Sequence, residues 1–110
     1  MRLLLLLTLA ACSDKTADDS GAAGCDTGPA LTWQNWGDGF FATYCRSCHS
    51  DTTPNRMGAP ESINFNTLEQ VRDQAALIRD SVLVRQSMPV GGGVYEEDLE
   101  LLGIFLDCGI

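Results

Sequence analysis

Five cysteines in a chain of 110 residues restrict what this sequence can fold into more than any other feature. A chain this short encloses a small hydrophobic core, so it often needs a disulfide, a metal or a bound group for stability. The five thiols belong to Cys12, Cys25, Cys45, Cys48 and Cys108. Their positions and neighbours therefore indicate which of these links the fold uses.

The first cysteine ends a short apolar segment. Arg2 precedes a leucine-rich run over residues 3–9, which is typical of a secretory signal and is too short to span a bilayer. Leu, Ala and Ala then precede Cys12, in a sequence that resembles the lipobox of bacterial lipoproteins, where cleavage leaves an acylated cysteine. We expect residues 1–11 to be a lipoprotein signal peptide and the lipid on Cys12 to anchor the chain to a membrane.

Ordinary signal cleavage near this point is the alternative, and it would leave a soluble periplasmic protein. Cys12 is followed by Ser13 rather than by Asp. In Gram-negative bacteria this resembles the sorting signal that directs lipoproteins to the outer membrane. We therefore expect an exported, lipid-anchored protein on the periplasmic side of a bacterial membrane, with the outer membrane favoured. Disulfides are permitted in that compartment.

Composition divides the remaining chain into a tether and one domain. Residues 13–30 hold Ser, Asp, Ala, Gly and Thr with almost nothing to bury, so we assign residues 12–30 to the acylated cysteine and a polar tether. Large apolar residues begin at Leu31, and residues 31–110 form one small domain, which we expect to be monomeric. The net charge of −8 disfavours binding to DNA or RNA, so no nucleic-acid partner is expected.

The domain is expected to be all-α. Aromatic residues at helical spacing predict a first helix over about 32–46. One amphipathic helix, or two short ones, is predicted across 68–86, with Thr67 as N-cap and Gln70 in the capping-box position. A last helix begins at a cluster of acidic residues after a glycine-rich loop and stops at Gly109. No alternating strand pattern is present.

The residues Cys45, Cys48 and His49 carry the chemistry. Two thiols three positions apart at a helix end can add to the two vinyl groups of one haem, and the histidine that follows can ligate its iron. This is the attachment signature of c-type haem, and it is a strong signal in an exported protein. We therefore expect a covalent haem c with His49 as an iron ligand.

Three other uses of this motif are weaker. A thioredoxin-like redox pair needs a strand before the motif and a βαβ setting, which the sequence lacks. A zinc site needs four ligands, and the remaining cysteines, Cys25 and Cys108, are distant in sequence and have no second histidine beside them. The third alternative is a simple disulfide between Cys45 and Cys48, with the neighbouring histidine playing no part.

From Trp33 to its C-terminus the chain resembles a small class I cytochrome c. In that family a glycine lies eight residues before the first haem cysteine and an aromatic residue four before, and here these are Gly37 and Phe41. The resemblance implies that the N- and C-terminal helices cross nearly at right angles, with a middle helix, around the haem. An aromatic residue of the last helix would pack over the glycine. The contact residues implied on that helix are Leu102, Phe105 and Leu106.

The second axial ligand must come from another residue type, because His49 is the only histidine. A thioether sulfur is the alternative, and Met88 followed by Pro89 resembles the distal-ligand loop of bacterial cytochromes c. Met57, eight residues after His49, is a weaker candidate for this ligand. The third possibility is that no side chain ligates the iron there, so that the position is open or holds water. We expect His49 and Met88 as the two ligands.

The resemblance also implies a backbone partner for the histidine ring. The family uses a proline carbonyl in the loop after the motif, which fixes the orientation of the imidazole. Pro60 is the expected acceptor for His49, and Pro54 is the second candidate.

Two cysteines remain once lipid and haem have been assigned. Cys25 and Cys108 are an even pair in an oxidising compartment, so a disulfide between them is expected, joining the end of the tether to the last helix. Two free thiols, or a bridge to another subunit, are the alternatives.

The function expected from these features is one-electron transfer between a redox donor and a redox acceptor, without catalytic residues and without a substrate pocket. The alternative is a haem enzyme or a gas or redox sensor, which needs an open or labile sixth position on the iron. The acidic composition favours a partner with a basic face, or it only keeps the protein soluble.

Overall fold

The computed structural model of the chain describes residues 24–110. The predicted signal peptide, the predicted lipidation at Cys12 and the tether up to residue 23 lie outside the described residues. Within residues 24–110 the secondary structure is helical and contains no strand, which confirms the all-α prediction. None of the helices in this part of the chain is long and apolar enough to cross a membrane.

Four helices make up the described fold, and two of them contain a wide π-type turn. They are α1 (the π-type turn Trp33–Gly37, then Asp38–Tyr44), α2 (Leu68–Asp73), α3 (Ala75–Ile78, then the π-type turn Arg79–Val84) and α4 (Glu96–Cys108). The first helix ends two residues before its predicted end, because Cys45 leaves the helical conformation with a φ of −124°.

Two threonine capping boxes set the starts of α1 and α2. Thr67 Oγ1 accepts a hydrogen bond from the Gln70 backbone N–H, and Gln70 Oε1 accepts one from the Thr67 N–H, as predicted. Thr32 and Asn35 form the same reciprocal pair at the start of α1. Each pair satisfies two backbone donors that a helix N-terminus leaves without partners.

One hydrophobic core joins all four helices and the segment between α1 and α2. The predicted face of α2 and α3 is buried at Val71, Ile78 and Val82, while Leu68 and Ala75 pack at its edge. The other buried apolar side chains come from α1, from the intervening segment and from α4, and they are Phe40, Phe41, Phe65, Leu102, Phe105 and Leu106.

Helix α4 packs closely against α1 at Gly37. A Cβ atom on this glycine would stand 2.6 Å from Cζ of Phe105 and 3.1 Å from Cε3 of Trp33, so no larger residue fits. A second link lies farther along α1, where the Tyr44 hydroxyl donates to Oδ2 of Asp98 at 2.7 Å. That carboxylate raises the pKa of Tyr44, because a phenolate could not donate this hydrogen bond and would be repelled.

Gly109 follows the last residue of α4, as expected, but it does not end the helix through the left-handed conformation that was predicted for it. Its φ of −104° is accessible to any residue, so no left-handed cap is present. A Cβ atom there would stand 2.5 Å from the Phe105 ring and 2.7 Å from the Leu31 carbonyl oxygen. The glycine is required because the chain before α1 passes close to the end of α4.

Cys25 and Cys108, the pair expected from the sequence, lie at disulfide distance with their Cα atoms 5.5 Å apart. Residues 24–30, assigned to the tether by their composition, form a turn in which the Gly28 N–H donates to the Gly24 carbonyl at 3.1 Å. The beginning of the described chain is thereby attached to the last residue of α4.

The contact at Gly37 generates a test of the α1–α4 packing. We expect Gly37→Ala to lower the free energy of unfolding by about 1–3 kcal/mol, because the added methyl group overlaps the Phe105 ring. Gly39→Ala is the matched control, since its Cβ would meet nothing within 4 Å and it should stabilise the helix by about 0.5–1 kcal/mol. Denaturant unfolding measures both. Equal effects of the two substitutions would contradict the packing.

The cysteine pair generates a second test. Replacing Cys25 and Cys108 by Ala should lower the free energy of unfolding by about 2–5 kcal/mol, because the link spans 83 residues of the unfolded chain. A reductant should lower the melting temperature of the native chain and leave that of the double variant unchanged. Recovery of both thiols by alkylation and mass spectrometry, in protein folded under oxidising conditions and never reduced, would show the pairing to be wrong.

Candidate functional site

A cavity of about 580 Å³ lies between α1, α3 and the loops that follow each of them. Its walls are mostly apolar. All four side chains that the sequence analysis assigned to haem attachment and iron ligation line it, together with Phe41 and Pro60. The four are Cys45, Cys48, His49 and Met88.

The Cys45–His49 turn brings three of these side chains to one wall. Cys45 is the residue at which α1 ends, so its position is set by the helix. Its carbonyl oxygen accepts hydrogen bonds from the N–H groups of both Cys48, at 3.2 Å, and His49, at 2.8 Å. The chain therefore continues the helical direction by one tight turn, which keeps both thiols and the imidazole beside the same cavity.

Hydrogen bonds to the segment before α2 hold this turn in place. The His49 carbonyl accepts from the Phe65 N–H at 3.0 Å, and Nε of Arg46 donates to the Phe65 carbonyl at 2.7 Å. Beside them, Nδ2 of Asn66 donates to Oγ of Ser50 at 2.9 Å. The motif is thus attached to a second part of the chain on both sides of the histidine.

The imidazole of His49 is oriented by the backbone of Ile63. Its Nδ1 lies 3.0 Å from the Ile63 carbonyl oxygen. A carbonyl oxygen can only accept, so Nδ1 carries the proton and Nε2 keeps its lone pair. That is the tautomer in which Nε2 can bind a metal, and the hydrogen bond raises its basicity.

The prediction that Pro60 supplies this carbonyl is therefore wrong. The Pro60 carbonyl closes a turn by accepting from the Ile63 N–H at 3.1 Å, and it also accepts from Nη2 of Arg56 at 2.6 Å. The turn carries the chain three residues farther, and there the Ile63 carbonyl meets the imidazole. Pro54, the second candidate, does not bond to His49 either.

Burial raises the pKa of the Cys45 thiol from 9.0 to about 12, although the nearby Arg46 charge opposes this. The thiol is therefore protonated at neutral pH. Disulfide exchange, which needs a free thiolate at this position, is therefore disfavoured. In residues 24–110 no three side chains among His, Cys, Asp and Glu gather as ligands of one metal ion.

Met88 reaches the cavity from the segment that follows α3. Its N–H donates to the Ser81 carbonyl at 3.1 Å, and the Ser87 N–H donates to the same oxygen at 2.8 Å. Gln86, with a φ of 50°, reverses the chain just before them. Met57 also lines the cavity, but 75% of its surface is exposed, against 40% for Met88.

Sequence reasoning missed Arg56 and Ile63. Arg56 lines the cavity and donates hydrogen bonds to several carbonyl oxygens of the loop between the motif and α2. Arg56 could have been noticed in the sequence as a single cation in a loop of Pro, Gly and Asn residues within an acidic chain. Ile63 gave no signal, because it acts through its backbone and any residue type could do so.

The raised pKa predicts slow alkylation of Cys45 in the folded chain while its thiol is unmodified. At pH 8 we expect iodoacetamide to modify Cys45 at least about 100-fold more slowly in the folded chain than in denaturant, since three pKa units correspond to about 1,000-fold in thiolate. Peptide mass spectrometry measures the rate, and the unfolded chain is the control. Equal rates would contradict the burial.

The same shift makes stability depend on pH. The unfolded chain releases the Cys45 proton at lower pH than the folded chain does, so the folded chain with an unmodified Cys45 should lose stability as pH rises from about 9 toward about 12. Cys45→Ser should reduce this loss, which unfolding at several pH values would measure.

Comparison with known protein families, with characterised proteins and with solved structures gave no match. The case for a function therefore depends on the chemistry of the cavity. That chemistry consists of two unpaired thiols, one imidazole with a defined tautomer and one methionine sulfur beside an apolar space.

Proposed function

We propose that the chain is the protein part of a monohaem c-type cytochrome, which carries one electron at a time between redox proteins. In this proposal Cys45 and Cys48 would hold the haem through thioether bonds, and His49 and Met88 would ligate its iron. The observation that carries it is that all four side chains line one largely apolar cavity. The haem, when bound, would supply a one-electron iron couple.

The cavity suits a haem in size and in chemistry. Its volume of about 580 Å³ falls within the roughly 300–1,000 Å³ that is usual for cofactor sites. Phe41, Ile78 and Val82 contribute apolar walls, which would keep water from the bound group. The neutral Cys45 thiol agrees with a thioether, because a thioether carries no charge.

The contact between α1 and α4 supports the finer architecture of a class I cytochrome c. Gly37 and Phe105 touch at the two positions for which the resemblance implies a helix crossing. Phe41 lies between that contact and the cavity, with its ring centroid 6.3 Å from that of Phe105. We infer that α1 and α4 cross beside the cavity and that α3 is the middle helix of the family.

His49 would be held as a ligand before any haem is bound. The hydrogen bond from Nδ1 to the Ile63 carbonyl leaves Nε2 available and limits rotation of the ring. The ring centroid also lies 5.3 Å from that of Phe65, which restricts the imidazole on another side. Because fewer conformations must be given up, this arrangement favours ligation.

Met88 is the stronger candidate for the second ligand. It comes from a different part of the chain from His49, and its backbone is attached to the buried Ser81. Met57 belongs to the same loop as Ile63, whose carbonyl already supports His49. A methionine from another segment would hold the group independently of the loop that supports His49.

A haem enzyme or a sensor is the second candidate function. The observation that favours it is the exposure of Met88, 40% of whose surface is accessible. A weakly held methionine would give a sixth position that is open or easily displaced, as catalysis and gas binding require.

The proposal also includes export, a lipid anchor on Cys12 and redox proteins as donor and acceptor. In the described part of the chain, Arg56 is the only charged side chain that lines the cavity, and no Asp or Glu does. A partner that approached the cavity mouth would therefore meet a largely apolar surface. This supports the interpretation that the acidic residues chiefly maintain solubility.

The two methionines give a matched test. In protein made with the cytochrome c maturation machinery, we expect haem that survives denaturation, a low-spin reduced spectrum and no response to carbon monoxide. Met88→Leu should bind carbon monoxide and have a lower reduction potential, because the thioether ligand is lost. Met57→Leu should behave as the native protein does.

Three results would change the conclusion. Absence of covalent haem in the native chain would overturn the electron-carrier proposal. A response to carbon monoxide in Met57→Leu alone would move the ligand to Met57. A native protein that binds carbon monoxide readily would favour the enzyme or sensor.

A further inference from the structure

All five N–H donors of Arg56 are engaged by neutral oxygens of one loop. Nε donates to the Ala59 carbonyl at 3.3 Å. Nη1 donates to the Ser50 carbonyl and to Oδ1 of Asn64, both at 2.7 Å. Nη2 donates to the carbonyls of Pro60, at 2.6 Å, and Ile63, at 3.0 Å. The guanidinium thus connects the end of the haem motif to the whole loop that follows it.

The charge of Arg56 has no carboxylate beside it in the part of the chain that the structure describes. Arg46, Arg79 and Arg85 each pair with an aspartate there. Arg56 is half-buried and lines the cavity, whose described walls contain no Asp or Glu. A cation held only by neutral oxygens in a partly apolar setting exerts a field that water screens less than at the surface.

Two hydrogen-bond donors in this site, one from His49 and one from Arg56, share a single carbonyl oxygen as their acceptor. The Ile63 carbonyl oxygen accepts from His49 Nδ1 and from Arg56 Nη2, each at 3.0 Å. A carbonyl that also binds a cation is a poorer acceptor for the imidazole N–H, because part of its electron density is drawn toward the guanidinium. His49 therefore keeps the orientation that this carbonyl imposes but gains less basicity from it.

We propose that Arg56 is a positioning residue that raises the reduction potential of the haem iron ligated by His49. This inference rests on the proposed function. The shared carbonyl makes His49 a weaker donor to iron, and the uncompensated charge of Arg56 disfavours the more positive ferric state. Both effects favour the gain of one electron, so they act in the same direction.

An anion-binding role fits the geometry less well. Capture of a phosphate or carboxylate by arginine uses free N–H donors, commonly two in parallel. Arg56 has five such donors, and each already has an acceptor within the loop. Binding an anion would require one of these bonds to break first.

The test is a spectroelectrochemical titration of the haem-loaded protein. Arg56→Gln should shift the ratio of reduced to oxidised haem at a fixed potential by about threefold to tenfold toward oxidised, and tenfold corresponds to about 59 mV for one electron. Arg56→Lys should retain most of the native potential, because it keeps the charge. Arg72→Gln is the control, since Arg72 is exposed and does not line the cavity.

A structural role alone gives a different pattern. If Arg56 only holds the loop together, Lys and Gln should perturb the potential equally, and that result would overturn the inference. Equal potentials in Arg56→Gln and Arg72→Gln would overturn it as well. Asn64→Ala removes one acceptor of Arg56 while keeping the charge, so its potential should stay close to the native value.

Proton NMR of the reduced native protein provides a measurement that does not depend on any variant folding. We expect slowly exchanging guanidinium protons from Arg56 and a slowly exchanging Nδ1 proton from His49, because all of them are hydrogen-bonded. Rapid exchange of the Arg56 protons would refute the inference even if Arg56→Gln failed to take up haem. Covalent haem with normal ligation would meanwhile leave the proposed function intact.

Discussion

The contact of Phe105 with the backbone at Gly37 is the constraint on which the other features of this fold depend. At this contact the Phe105 ring of α4 lies directly against the backbone of α1, and the Phe105 side chain is completely buried. Since α1 ends at Cys45, the position of α1 sets where the turn from Cys45 to His49 begins. A residue larger than glycine would move α1 away from α4 and displace the first cysteine relative to α3, which forms another wall of the cavity.

Backbone carbonyls organise the rest of the site. The Cys45 carbonyl shapes the motif turn, the Ile63 carbonyl orients the imidazole, and the Ser81 carbonyl attaches the segment that carries Met88. Arg56 gathers several carbonyls of the loop into one network. The side chains that carry the proposed chemistry are therefore held mainly by groups that every residue possesses, and the protein adds few specialised supports.

This explains how much could be predicted from the sequence. The grouping of Cys45, Cys48 and His49, the Thr67 capping box and the pairing of Cys25 with Cys108 depend on particular side chains, and those side chains are visible in the sequence. The acceptor for His49 depends on where a turn places a carbonyl, and the expectation of Pro60 was three residues away from Ile63. The π-type turns in α1 and α3 were missed for a similar reason, since hydrophobic spacing does not report how a helix distributes its backbone hydrogen bonds.

The link between Cys25 and Cys108 determines how mechanical load would enter the domain. It joins Cys25, which precedes α1, to Cys108, the last residue of α4, so the two cysteines and the chain between them form a closed ring. Tension applied to the chain ahead of Cys25 would divide there between the backbone that follows and the link to the C-terminal end of α4. The segments that carry His49 and Met88 would therefore bear less of that tension than they would without the link.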